Sequence, residues 1–212
     1  MQTEDIARYL AGHPEFFDQH PHLLTDIRVS HPFDGRAVSI AERQILNLRE
    51  KHKLLEAKLA ELIEFGEEND AISEKMHQLA RLLMSARELP TLLNVLKLSL
   101  HDAFGVPHAA LRIWQGTADL PEFTPVSEVV KNWAADASQP HCGTLPVAEM
   151  ADWFAGISHM RSFAAVPLQA EHSLGVLVLA SEDAQRFYPQ MGTLYLKRLG
   201  ELLSAALQRL LP

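Results

Sequence analysis

Apolar side chains recur at helical spacing through residues 39–86, a stretch with no proline and one glycine, Gly66. Leu48, Leu55, Leu62, Asn69, Met76 and Leu83 stand seven apart, and Ile45, Leu59, Phe65, Ile72 and Leu79 fill in at three and four, as in a helix buried along one stripe. At 1.5 Å per residue such a rod spans ~70 Å, longer than a small domain is wide. One end must outrun its own chain's core, and the surface that suits it best is the same helix of a second copy. Leu48, Leu55, Leu62, Asn69 and Met76 are therefore the expected seam of a homodimer. Packing of part of the stripe on the N-terminal arm is the competing reading, and the step in the stripe near Leu62, Phe65 and Gly66 marks an irregularity in any supercoil. Pairing direction stays open. An antiparallel pair sets the basic first half against the acidic run from Glu61 to Glu74, whereas a lone Asn69 in the seam suits a parallel one.

On either side of this rod the pattern differs. Residues 1–38 carry three His-Pro pairs, His13-Pro14, His20-Pro21 and His31-Pro32, which break the chain into short helices. Thr3 is the expected cap of the first helix and Gly12 its end, while Phe16, Phe17, Leu23, Leu24 and Ile27 are too apolar for a free tail. Beyond Glu88 the reading is mixed: a helix over 92–104 opened by Pro90 and Thr91, a strand over 108–114, two strands over 161–168 and 173–181 joined as a hairpin, and a helix over 190–210. The whole amounts to an α+β domain, an antiparallel sheet with helices on one face. The organisation expected is an arm at 1–38, a dimerisation or signalling helix at 39–86 and a domain at 87–212.

Charge and composition narrow the function. The net charge of −8 is spread as −3 (6 acidic, 3 basic), −2 (9 and 7) and −3 (12 and 9) over those three segments. No stretch has the basic excess that phosphate-backbone binding needs, so nucleic acid is not an expected partner. One cysteine, Cys142, rules out an internal disulfide and a multi-thiolate zinc site. The longest apolar run, residues 174–180, is too short to cross a bilayer, and the acidic N-terminus is unlike a signal peptide. The expectation is a protein of the cytoplasm, off the membrane.

Several motifs carry a resemblance. A helix ending in Ala103-Phe104-Gly105, a strand directly after it, Arg161-Ser162-Phe163-Ala164-Ala165-Val166-Pro167-Leu168, Leu174-Gly175-Val176 and Gln185-Arg186-Phe187-Tyr188-Pro189 before a terminal helix resemble the GAF domain. With His13-Pro14-Glu15-Phe16-Phe17, residues 37–44, Met191-Gly192-Thr193 and residues 198–202, the whole chain resembles the GAF-related bacterial domain-of-unknown-function family 484. That resemblance implies a GAF-like sheet and a sensory or scaffolding module without established chemistry. The Asn-Lys-Phe-Asp-Glu set of cyclic-nucleotide GAF domains has no match.

Candidate chemistry is sparse. His141 beside Cys142, and His101-Asp102, complete no nucleophile-base-orienter set, and the histidines of the arm have no carboxylate or thiolate at ligand spacing. Strand alternation sends Leu111 and Ile113 toward the helices and Ala110, Arg112 and Trp114 toward the loops of residues 116–159. An arginine there is expected to meet a loop carboxylate or an anionic ligand. The expected ligand site is Arg112, Trp114, Phe123, Trp133, Cys142 and Phe163, with no catalytic residue, no metal and no cofactor identified. Two functions follow: a non-enzymatic dimeric sensor taking a small molecule between sheet and loops, or a ligand-free scaffold that binds an unidentified partner protein.

Overall fold

The computed structural model describes residues 2–30, 37–154 and 159–211. The His31-Pro32 pair lies outside them. By internal contacts the chain divides into Met1–Glu67 and Glu68–Pro212.

In the first unit three short helices follow one another: α1 (Thr3–Gly12), α2 (Glu15–Gln19) and α3 (His22–Asp26). Pro14 and Pro21 each stand at the N-cap, where their fixed φ starts a helix and their missing N–H costs nothing. Gln2, rather than the expected Thr3, occupies the cap of α1, because the Asp5 carboxylate accepts from the Gln2 N–H at 3.1 Å and fixes the first turn one residue earlier. Two short strands, β1 (Arg28–Ser30) and β2 (Ala37–Ser39), then pair antiparallel, a ladder of three residues that the sequence pattern did not announce.

Helix α4 runs over Ile40–Ser85, started by Ser39, whose Oγ accepts the Glu42 N–H at 3.2 Å. Its stripe has two fates. Met76, Leu79 and Leu83 are buried in the second unit's core, with Ile72 and Ala86 beside them. Met76 is thereby removed from the expected dimer seam: at 6% exposure it has no surface left for a second copy. Ile45, Leu48, Leu55, Leu59, Leu62 and Phe65 are all half exposed or more. Packing of this segment on the arm is thus not what the described residues form. The change of fate falls where the stripe changes step, close to the division between Glu67 and Glu68.

The second unit is α+β. Helix α5 (Leu89–Leu98) continues through a π turn over Ser99–Ala103 and stops at Gly105, whose φ of +63° a side chain would resist. Strand β3 (His108–Ile113) follows, then helix α6 (Glu128–Asp136), strand β4 (His141–Gly143), the hairpin β5 (Ser162–Gln169) and β6 (Ser173–Ser181), and helix α7 (Leu194–Leu210). The sheet order is β3-β6-β5-β4, all antiparallel. Helix α7 begins four residues later than the pattern suggests, because Gln190 is held at φ +76° directly after Pro189.

One sheet face packs Leu111, Ile113, Ala164, Val166, Leu177 and Leu179 against α5, α7 and the end of α4. Gly200 lets α7 approach closely: a Cβ there would stand 2.8 Å from Val166 Cγ1. Helix α7 also secures the end of α4. Arg209 donates to the carbonyls of Leu83 at 3.0 Å and Met84 at 2.8 Å, in the last turn of the helix, and to that of Ala86 at 2.6 Å just past its end. Tyr195 adds a bond from its hydroxyl to the Asn69 carbonyl at 2.9 Å.

Replacing Leu83, 1% exposed, by alanine should lower unfolding stability by about 2–5 kcal/mol in a denaturant titration. Arg209→Ala should cost about 1–3 kcal/mol, and Arg209→Lys should recover little of it, since an ammonium cannot span three carbonyls as a planar fork does.

Candidate functional site

The other face of the sheet is small and flat in sequence, Ala110, Ala165, Val176, Val178 and Ala180, and this makes room for a cover. Helix α6 and the 3-10 segment Ala148–Phe154 supply it, burying Val130, Ala134, Met150 and Phe154. Five hydrogen bonds fix the cover at its two ends. Ser127 Oγ accepts the Val130 N–H at 3.4 Å and so caps α6, and the Glu149 carboxylate accepts the Ser127 N–H at 3.1 Å. At the helix's other end Gln169, from the tip of β5, donates to the carbonyls of Ala134 at 2.7 Å, Ala137 at 3.1 Å and Ala135 at 3.2 Å. The expected loops over this face are therefore partly helical. The signal for α6 was present as a Ser N-cap followed by Glu128 and apolar Val130, Trp133 and Ala134.

Arg112 lies on this face, opposite Val176 on the edge strand β3. Its guanidinium stands over the Trp153 ring, 5.1 Å from the centroid, and Nη1 donates to the Leu111 carbonyl at 2.9 Å. Burial pulls its pKa below the ordinary value, and the charge of Glu122 works against that shift. Among the described residues no carboxylate lies within ion-pair distance of it. Trp114 packs on the same face, with its indole N–H donating to the Ser173 carbonyl at 2.8 Å, and Trp133 and Phe163 flank the cluster. Gly175, opposite Ile113, must lack a side chain, since a Cβ there would overlap the neighbouring Arg112 carbonyl.

The structure does not bring Cys142 to this face. It pairs with Ala164, whose side chain points to the helices, so Cys142 joins the core on that side. Phe123 packs against the helix-side core as well, at the sheet margin, where it and Trp114 line a hollow of about 270 Å³ with Val126 and Lys131. The expected site is thus divided: Arg112, Trp114, Trp133 and Phe163 on one face, Phe123 at the margin and Cys142 behind the sheet. Glu122 is one of the loop carboxylates that the sequence makes available to Arg112, and its charge does act on that group, but the stacking of Arg112 on Trp153 and the reach of Gln169 to α6 are set only by the fold.

A second cleft of about 290 Å³ lies between α5 and β3, floored by Ala109 and Leu111 and walled by Leu93, Lys97, Leu120 and Glu122. Among the described residues no group of three or more His, Cys, Asp or Glu could hold a metal ion. His101 and Asp102 are bonded at 2.6 Å, but both are mostly exposed.

Residues 1–211 of the chain match the family described as "Protein of unknown function, DUF484". The chain belongs to that family. It is 25% identical over 218 residues to "Uncharacterized protein YigA" of Salmonella typhimurium, covering 99% of this chain and 92% of that protein. The protein of that name from Escherichia coli is 26% identical over the same coverage. Among solved structures it is similar to the GAF domain of the potassium sensor histidine kinase KdpD from Escherichia coli, with a TM-score of 0.43, 15% identity, 65% of this chain and 94% of that one. It is similar also to the NLH2 GAF domain of A. aeolicus in an inactive state, with a TM-score of 0.44, 13% identity and coverages of 66% and 97%. None of the described helices is long and apolar enough to cross a membrane.

Burial raises the pKa of the Cys142 thiol above its ordinary value, so little thiolate forms at neutral pH. Native protein should react with a thiol reagent at pH 7.5 far more slowly than denaturant-unfolded protein, with one thiol titrated on unfolding. Fast native labelling would place the sulfur elsewhere.

Proposed function

We propose that this member of the family is a non-enzymatic regulatory module that pairs through the first half of α4. The observation that supports it is the division of one helix. Residues 72–83 supply core side chains to the sheet domain, while residues 45–65 carry an apolar stripe with no cover among the described residues. A monomeric protein has little use for such a stripe, and a regulator uses a shared rigid element to link a domain to a partner. The absence of a recognisable catalytic set in the sequence agrees with this.

On what the module responds to, the geometry leans toward the scaffold. Val130, Ala134 and Met150 are fully buried on the loop-covered face, so the space where a ligand was expected is occupied by the chain itself. The hollow beside Trp114 and Phe123, with Lys131 at its rim, and the half-buried Arg112 favour a second reading, a small anionic ligand taken at the margin of that face.

Light scattering at micromolar concentration should give twice the chain mass of 23.7 kDa, and a monomer would overturn the proposal. A thermal-shift series with small carboxylates, inorganic phosphate and nucleotides separates the two readings. The scaffold predicts no stabilisation by any of them. Stabilisation that disappears in Arg112→Ala would establish the ligand reading instead.

A further inference from the structure

We infer that residues 45–62 of α4 meet the same residues of a second copy in parallel and in register. This rests on the dimer proposed above and adds its direction, the partner residues and the contacts that choose between alternatives.

The buried fate of Met76, Leu79 and Leu83 removes the second half of the stripe from the seam and leaves a shorter segment to be assigned. In that segment Ile45, Leu48, His52, Leu55, Leu59 and Leu62 alternate at spacings of three and four without interruption, the core positions of a two-stranded coil. Their exposure makes the assignment physical: Ile45 is 50%, Leu48 64%, Leu55 65%, Leu59 58% and Leu62 65% exposed. With Ile45 as the first core position, Arg49, Glu56 and Ile63 flank the seam on one side and Lys51, Lys58 and Phe65 on the other.

These flanking residues decide the direction. In a parallel pair each Lys51 faces Glu56 of the second copy, on both sides of the seam, and the next flanking pair, Lys58 with Ile63, carries no repulsion. An antiparallel pair that overlaps the whole segment sets Ile45 against Leu62 and Leu48 against Leu59. It then gains Arg49 against Glu56 twice but places Lys51 beside Lys58 twice, so attraction and repulsion offset, whereas the parallel pair has the attraction alone. The acidic run that argued for antiparallel pairing drops out, because Glu61, Glu64, Glu67 and Glu68 fall on the outer side of the helix in this register and Asp70 and Glu74 lie beyond the segment. His52 occupies a core position and lies 3.3 Å from Glu56 of its own chain. A single polar core residue is the device that fixes register in such coils, and in the parallel pair the two imidazoles share one layer.

The test uses the full chain in a Cys142→Ser background, with Leu48→Cys and Leu62→Cys made separately. A core-position cysteine in a parallel, in-register pair sits within disulfide reach of its own counterpart. Each variant should therefore form a covalent dimer with itself under mild oxidation. Self-crosslinking of neither, with crosslinking only when Leu48→Cys is mixed with Leu59→Cys, would overturn the direction and leave the dimer standing. A monomer in light scattering would remove the dimer itself. Lys51→Glu provides a second readout that needs no disulfide. It should weaken dimerisation several-fold at low salt and Glu56→Lys on the same chain should restore it, whereas tighter pairing by Lys51→Glu alone would mark the antiparallel arrangement.

Discussion

A helix can bury its apolar stripe in its own domain only as far as that domain reaches. In this chain the reach ends near Glu68, and the second half of α4 is held by Met76, Leu79 and Leu83 in the core and by Arg209 and Tyr195 from α7. Burial of each leucine is worth about 1.5–3 kcal/mol, and the Arg209 fork satisfies carbonyls that would otherwise end the helix unpartnered. The first half of the helix has the same apolar composition and none of that support.

The sheet supplies the second constraint, its strict alternation. One set of residues on β3, β5 and β6 serves the helices α5 and α7, and the other serves α6 and the segment around Met150. Arg112 is the polar exception on the second face. Its place at the edge strand, over Trp153 and near Glu122, keeps the charge solvated on one side while its stem covers apolar surface.

Much of this was legible in the chain. Helices α4, α5 and α7, the β5–β6 hairpin and the facing of Leu111, Ile113 and Arg112 were readable because each rests on a repeated period, over many residues or with strong β-branched content. Strand β4 was not, since three residues carry no period, and without it nothing could place Cys142 behind the sheet. Helix α6 was hidden by a proline- and tryptophan-rich setting although its Ser127 cap was in view. The step in the stripe at residues 62–66 was visible as an irregularity in spacing, but its meaning, a change from an exposed stripe to one buried in the chain's own core, needed the burial of Met76. Contacts such as Gln169 with α6 and Arg209 with α4 join residues too far apart in sequence for any local pattern to reveal.

Hydrogen exchange along α4, followed as protein concentration is lowered, separates the two halves of the helix. Amides of residues 72–83 should stay protected at every concentration, because their cover belongs to the same chain, while those of residues 45–62 should lose protection as the pair dissociates. Protection of residues 45–62 that did not depend on concentration, or loss of protection along the whole helix at once, would contradict it.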